Sequence, residues 1–79
     1  MFAEYLRAAM KHAVYEQIED GTYFGTVPQF PGAWANGTTP EACAQELESV
    51  IEGWILLAIA NREELPEIDG HKLVAKASA

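Results

Sequence analysis

Residues Thr38 to Asn61 carry the strongest structural signal in this sequence of 79 residues. The hydroxyl of Thr39 can accept a hydrogen bond from a free amide of a first helical turn. Pro40 suits the first helical position because its missing N–H would be unpaired there anyway. Apolar residues then recur at steps of three and four, and so define one helix face: Cys43, Leu47, Val50, Ile51, Trp54, Leu57 and Ala58. We predict a long helix over 39–61 that packs through this face.

The two halves of this helix differ in character. The first half carries an acidic stripe of three residues: Glu41, Glu48 and Glu52. The second half is uncharged from Trp54 to Ala60, and three apolar residues continue the side of the glutamates: Ile55, Leu56 and Ile59. A helix that is apolar all round must be covered on more than one side, which so small a chain can hardly do alone. We predict a homo-oligomer, most simply a two-fold dimer, with these three residues in its interface.

The size and cysteine content of the chain favour the same conclusion. A domain this small buries only about 60% of the surface of its unfolded chain, and oligomerisation commonly compensates where disulfides and metals are absent. The one cysteine, Cys43, can form no internal disulfide, and the sequence has no Cys/His cluster. A lone cysteine without a secretory signal is typical of a cytoplasmic protein. The apolar run 54–60 is far shorter than the roughly 20 residues that span a membrane.

The charge of the chain is strongly acidic. Twelve Asp and Glu residues against five Lys and Arg residues give a formal net charge of −7. This balance argues against direct nucleic-acid binding, which needs a basic face to neutralise phosphates. It also argues against adhesion to anionic membranes. Two interpretations remain open, namely a basic protein partner and simple solubility.

The whole chain, residues 1–79, is predicted to form a single α+β domain. In chain order we expect a short helix over 1–11, strands over 12–18, 23–27 and 33–35, the long helix, and a possible edge strand over 71–76. Asp20-Gly21 predicts a hairpin turn, Gly25 a bulge or a close approach, and Asn36-Gly37 a turn. The predicted architecture is a three- to four-stranded antiparallel sheet with the long helix on one face.

The residues with catalytic potential do not converge in the sequence. Glu16, Glu19 and Asp20 cluster near an exposed turn, where acidic residues are usually just solvated. His12 and His71 lack further ligands at zinc-binding spacing. Cys43 lies in the first turn of the long helix but also on its apolar face, which favours a buried, structural thiol over a reactive one. We therefore predict no catalytic, metal or cofactor site.

Trp34 has two interpretations. It lies between two alanines on a short strand, so the alternating face beside it is almost bare. It is either a core residue, which we favour, or an aromatic anchor for a partner, since a few such side chains supply most of the energy of an interface.

Residues Tyr23 to Pro66 resemble the HicB-like antitoxin family. The match includes Val27-Pro28, Phe30-Pro31-Gly32, Gly37-Thr38-Thr39, Glu41-Ala42 at the start of a long helix, and Leu65-Pro66 after it. The resemblance implies a partial ribonuclease-H-like fold without the catalytic acids of ribonuclease H. Many members carry a C-terminal DNA-binding segment, to which nothing in this sequence corresponds, so the resemblance does not extend to operator binding.

The resemblance also implies a partner, a small basic ribonuclease toxin of the HicA type that the antitoxin holds inactive. Together with the charge, it suggests that acidic residues and one aromatic residue contact the toxin: Glu19, Asp20, Trp34, Glu41, Glu48 and Glu52. Two alternatives stay open, a solitary oligomeric scaffold or regulator of the same fold and a small enzyme. A short, basic, His-containing reading frame beside the gene would favour the antitoxin.

Overall fold

The computed structural model describes residues 2–73 of the chain. Its elements, in chain order, are α1 (Phe2–Lys11), β1 (Val14–Gln17), β2 (Tyr23–Thr26), β3 (Trp34–Gly37) and α2 (Pro40–Ala60). The strands form one antiparallel sheet in the order β1-β2-β3. Both helices lie over the same face of this sheet, so the α+β architecture predicted from the sequence is confirmed.

The hairpin between β1 and β2 has a three-residue loop rather than the two-residue turn that Asp-Gly most often forms. The amide of Ile18 donates to the carbonyl of Thr22 across the loop, and the amide of Gly21 donates back to Ile18. Gly21 alone takes a positive φ in this loop, at 89°. This pattern is a common hairpin connection in which glycine occupies the left-handed position, and it sets the register of both strands.

Helix α2 begins as the sequence predicts. The hydroxyl of Thr39 accepts a hydrogen bond from the amide of Ala42 at 3.0 Å, and Pro40 follows in the first turn. The first turn packs tightly on the end of β3. A Cβ atom at Gly37 would lie 2.5 Å from the backbone nitrogen of Cys43, so only glycine fits there. Asn36 and Gly37 are therefore the last residues of β3, whereas the sequence suggested a separate turn.

The core lies between the sheet and the two helices. Helix α2 contributes Cys43, Leu47, Ile51, Ile55 and Ala58, all buried. Strand β2 makes room for the helix at Gly25, where a Cβ atom would lie 3.0 Å from Sγ of Cys43; the close approach predicted there is confirmed, and the pairing continues without a bulge. Phe30 folds back into the core from the loop between β2 and β3.

Helix α1 joins the core through one buried face and is tied to the segment after α2. Tyr5 is fully buried, and its hydroxyl donates a hydrogen bond to the carbonyl of Pro66. Leu65 and Ile68 close the core on the same side. At the surface, the imidazole of His12 contacts the carboxylate of Asp69 at 2.9 Å. The chain after α2 therefore holds the first helix in place.

Two details of α2 differ from the sequence prediction. Ile55, predicted as an interface residue, is fully buried in the core of its own chain, and Ile59 is half-buried against that core. Trp54 and Leu57, predicted to face the sheet, are 42% and 62% exposed. Successive buried residues of α2 are mostly four positions apart, from Cys43 through Leu47 and Ile51 to Ile55. This spacing places Trp54 and Leu57 outside the buried face of the helix. Leu56 is exposed, as predicted.

The strand predicted over 71–76 is not continuous in the described part of the chain. His71 forms an isolated bridge with Ile68, and Lys72 and Leu73 belong to no strand. Residues 74–76 lie outside the described residues. The sheet described over residues 2–73 therefore has three strands, at the lower end of the predicted range.

Candidate functional site

The face of the sheet opposite the two helices is the most unusual surface of the molecule. Val14, Thr26 and Trp34 lie opposite one another across the three strands, and so do Glu16, Phe24 and Asn36. These six residues share one side of the sheet and are called here the open sheet face. None of the elements described within residues 2–73 packs over it. In antiparallel sheets a solvated face is commonly polar, whereas this one is largely apolar at its centre.

An aromatic pair forms the middle of the open sheet face. The rings of Phe24 and Trp34 stack with their centroids 5.5 Å apart and an angle of 20° between their planes. Trp34 is 55% exposed, so the preference for a core position was wrong, and the alternative of an aromatic anchor remains. Val14, at the edge strand β1, is also exposed. Strand β3 is too short for its sequence alone to show which of its sides faces outward. Ala35 pairs with Gly25 on the side that α2 covers, so its neighbour Trp34 lies on the other side.

Hydrogen bonds hold the hairpin end of this face in one conformation. The carboxylate of Asp20 accepts hydrogen bonds from the hydroxyl of Thr22 at 2.6 Å and from its amide at 2.9 Å. The amide group of Asn36 donates to the hydroxyl of Thr22 and to the carbonyl of Tyr23. The hydrogen bonds from Thr22 lower the pKa of Asp20, which therefore carries its negative charge at neutral pH. The acidic hairpin is thus bound to β3.

The charge of the chain is unevenly distributed along the sequence. No Lys or Arg occurs between His12 and Asn61, a stretch that contains the whole sheet and α2. The same stretch contains seven acidic residues: Glu16, Glu19, Asp20, Glu41, Glu46, Glu48 and Glu52. All five cationic residues lie before it or after it. The surfaces of the sheet and of α2 are therefore acidic without intervening positive charge.

The six residues predicted to contact a partner fall on two layers of the molecule. Trp34 lies on the open sheet face, and Glu19 and Asp20 lie at its hairpin end. Glu41, in the first turn of α2, is at the same end of the molecule because Gly37, just before it, pairs with Tyr23. Glu48 lines a groove with Arg7 of α1 and Tyr15, and Glu52 is exposed on α2. Glu19, Asp20 and Glu41 therefore lie toward the hairpin end, whereas Trp34 pairs with Thr26 at the other end of the open sheet face.

A second apolar surface lies beside the C-terminal half of α2. Trp54 and Leu57 border a shallow cleft whose other walls include Phe30, Pro31 and Leu65, together with Glu63 and Glu64. The ring of Trp54 covers Gly32, where a Cβ atom would lie 3.3 Å from it. Gln29 also lines this cleft, and within residues 2–73 no group donates a hydrogen bond to its buried side-chain oxygen. The sequence did not identify this surface because Trp54 and Leu57 were placed in the core.

The residues considered for catalysis are dispersed. Cys43 is fully buried, its Sγ lies 3.7 Å from the carbonyl oxygen of Ala35, and burial raises the pKa of its thiol. His12 contacts Asp69, far from the hairpin acids in the sequence. Among the described residues, no group of three or more His, Cys, Asp or Glu side chains is arranged so that it could hold a metal ion. Neither helix of this part of the chain is long and apolar enough to cross a membrane.

Comparison with known proteins identifies the family of this chain. The UPF0150-like family model matches residues 4–66, and the chain therefore belongs to that family. Among solved structures, the chain is similar to the crystal structure of TTHA0281 from Thermus thermophilus. The two share 33% sequence identity and a TM-score of 0.85, over 90% of this chain and 89% of the other. Comparison with curated proteins gives no match.

Proposed function

We propose that this protein is an antitoxin that binds and masks a small basic ribonuclease of the HicA type. Membership of the UPF0150-like family is compatible with a small protein of the toxin–antitoxin type. The HicB-like motifs from Val27-Pro28 to Leu65-Pro66 support the more specific assignment. The observation that carries the proposal is the charge distribution, since the stretch from His12 to Asn61, which includes the sheet and α2, contains seven acidic residues and no Lys or Arg.

The proposed mechanism is competition for the surface that grips RNA. A ribonuclease must present positive charge to the phosphates of its substrate. An acidic protein can occupy that surface, and long-range attraction between the two accelerates their encounter. Carboxylates such as Asp20 and Glu41 take the place of phosphates without being cleavable. Masking then requires binding alone and no chemistry.

In this proposal the protein has no catalytic activity of its own. The seven acids between His12 and Asn61 lie on a hairpin, on the open sheet face and on α2, whereas a two-metal nuclease brings carboxylates together around its ions. Incubation of the pure protein with RNA and Mg²⁺ or Mn²⁺ should leave the RNA intact. Cleavage that is lost in the Glu16→Gln or the Asp20→Asn variant would instead identify an active site on the sheet.

The direct test of the proposal is an inhibition assay. The short basic reading frame beside the gene is expressed as a HicA-type toxin, and RNA cleavage by the toxin is measured as this protein is added. We expect inhibition that is complete near equal molar amounts. If the toxin stays active at a large excess of this protein, or if no such reading frame exists, the antitoxin assignment is wrong.

One observation favours a second candidate, a solitary oligomeric scaffold or regulator. Most residues that line the cleft beside Trp54 and Leu57 are apolar, although Glu63 and Glu64 also line it, and α2 carries no charge between Glu52 and Arg62. A second copy of the chain could cover the apolar part of this surface together with Leu56. Both the antitoxin and the scaffold could self-associate. The scaffold, however, would bind only copies of itself, whereas the antitoxin would also bind a toxin. Recovery of this protein alone in pull-downs, with no neighbouring toxin gene, would favour the scaffold.

A further inference from the structure

We propose that the open sheet face, rather than the acidic stripe of α2, is the surface on which the basic partner docks. This inference rests on the proposed function and adds the location of the contact. The stacked pair Phe24 and Trp34 supplies an apolar centre, and Val14 extends it to the edge of β1. Exposed apolar surface of this kind, bordered by polar groups, is typical of protein interaction sites.

The negative charges around the open sheet face favour a basic partner over a second copy of this chain. Glu16 is the one charged residue of the open sheet face, and Glu19 and Asp20 lie at its hairpin end. A second copy docked face to face would add three further carboxylates and no cation of this face to the same interface, which disfavours self-association here. A protein with an apolar patch and surrounding Lys or Arg residues matches both the centre and the border. The acidic stripe of α2 offers charge without a comparable apolar centre.

The geometry of the face is fixed before a partner binds. The chain of hydrogen bonds from Asp20 through Thr22 to Asn36 joins the hairpin end to β3. Stacking on Phe24 restricts the ring of Trp34. A surface that is already ordered loses little conformational entropy on binding, so its contacts contribute more fully to affinity. Trp34, large and 55% exposed, is the residue in which we expect the binding energy to concentrate.

Point variants test this location with the neighbouring HicA-type toxin as the binding probe. Trp34→Ala should weaken binding by about 30-fold, the loss typical of an interface hot spot, whereas Trp34→Phe, which keeps an aromatic ring, should lose less. Glu16→Lys should weaken binding more than Glu46→Lys, an equal charge change on the exposed side of α2. Circular dichroism and thermal melting establish that each variant folds.

A second measurement detects binding in the natural chain, so that a variant is needed only to assign the signals. The chain has two tryptophans, Trp34 and Trp54, so labelling with 5-fluorotryptophan gives two ¹⁹F resonances, which the Trp54→Phe variant assigns. Addition of unlabelled toxin should shift the resonance of Trp34 and leave that of Trp54 nearly unchanged. The inverse pattern, or a shift of neither signal in a chain that does bind, would overturn the proposed location.

The outcomes separate the two proposals. If the natural chain does not bind the toxin, the proposed function fails and the location fails with it. If the natural chain binds but Trp34→Ala and Glu16→Lys bind as well as it does, the function stands and the location is wrong. If Trp34→Ala converts an oligomer into a monomer, the occupant of this face is a second copy of the chain, and the proposal is also overturned.

Discussion

Phe24 and Trp34 stack on the side of the sheet opposite both helices, and this contact distinguishes the two faces of the sheet. On the covered side, Gly25 and Ala35 lie opposite each other and leave room for α2. At these positions small residues therefore face the helix, while Phe24 and Trp34 face outward. This arrangement is the reverse of what burial alone would favour, and it is the main structural reason for assigning a binding role to the open sheet face.

Gly37 should tolerate no side chain. Its missing Cβ atom leaves space for the backbone of Cys43, so Gly37→Ala must displace the first turn of α2. We expect a loss of about 2 kcal/mol in the free energy of unfolding, measured by urea denaturation. Gly53→Ala is the matched control because a Cβ atom there meets no described atom within 4 Å, and it should stabilise the helix by about 1 kcal/mol. Equal effects at both positions would contradict the packing described.

Ile55 and Leu56 are neighbours in sequence with opposite environments. Ile55 is fully buried, so Ile55→Ala should lower the free energy of unfolding by about 3 kcal/mol. Leu56 is 52% exposed, so Leu56→Ala should change the stability of an isolated chain by less than about 0.5 kcal/mol. Urea denaturation at low protein concentration measures both. A larger loss at Leu56 than at Ile55 would show that the inward face of α2 has been misassigned.

Self-association through α2 makes a separate prediction. Light scattering at micromolar concentration should give a mass above the 8.7 kDa of one chain. Leu56→Glu and Leu57→Glu place a carboxylate on the exposed side of α2 and should split the assembly while leaving the circular dichroism spectrum unchanged. A monomer mass for the natural chain would exclude this interface and, with it, the solitary oligomeric scaffold.

The pH dependence of stability should report the hydrogen bonds of Asp20. The pKa of Asp20 in the folded chain is lowered, so its stabilising effect is present above the ordinary pKa and is lost as the pH falls through the lowered value. Asp20→Asn should therefore destabilise the chain at neutral pH, with a difference from the natural chain that shrinks in acid. Urea denaturation between neutral and acidic pH measures this, with Glu19→Gln as a control for general charge effects. A difference that grows in acid would contradict the assignment.

Much of the fold could be predicted from the sequence because its signals are local. The Thr39-Pro40 start of α2, the hairpin at Gly21 and the order of the elements follow from capping, turn chemistry and periodicity. The position of Trp34 could not be predicted from the sequence. Strand β3 has only four residues, and the alanines on either side of Trp34 give no alternation of polar and apolar residues that would favour one face. The side of α2 on which Trp54 lies depends on contacts with the loop at Gly32, which are distant in sequence.

The candidate site was predictable only in part for the same reason. The acidic character of the proposed partner surface follows from the composition, and the sequence also singles out Glu19, Asp20 and Trp34. It does not single out Phe24, because the position of Phe24 on the open sheet face depends on the register that pairs it with Glu16 and Asn36. The glutamates of α2 share a helix face, but their distance from Trp34 depends on the layer in which the helix lies.

In the proposed complex, an acidic and already ordered surface of this protein binds a basic ribonuclease. Binding kinetics between the immobilised protein and the neighbouring HicA-type toxin, recorded at low and at physiological salt, test it most directly. We predict tight binding in which added salt slows association much more than it speeds dissociation, because charges steer the encounter while the apolar contacts around Trp34 hold the complex. Absence of binding at micromolar concentration, or an association rate that does not respond to salt, would contradict the claim.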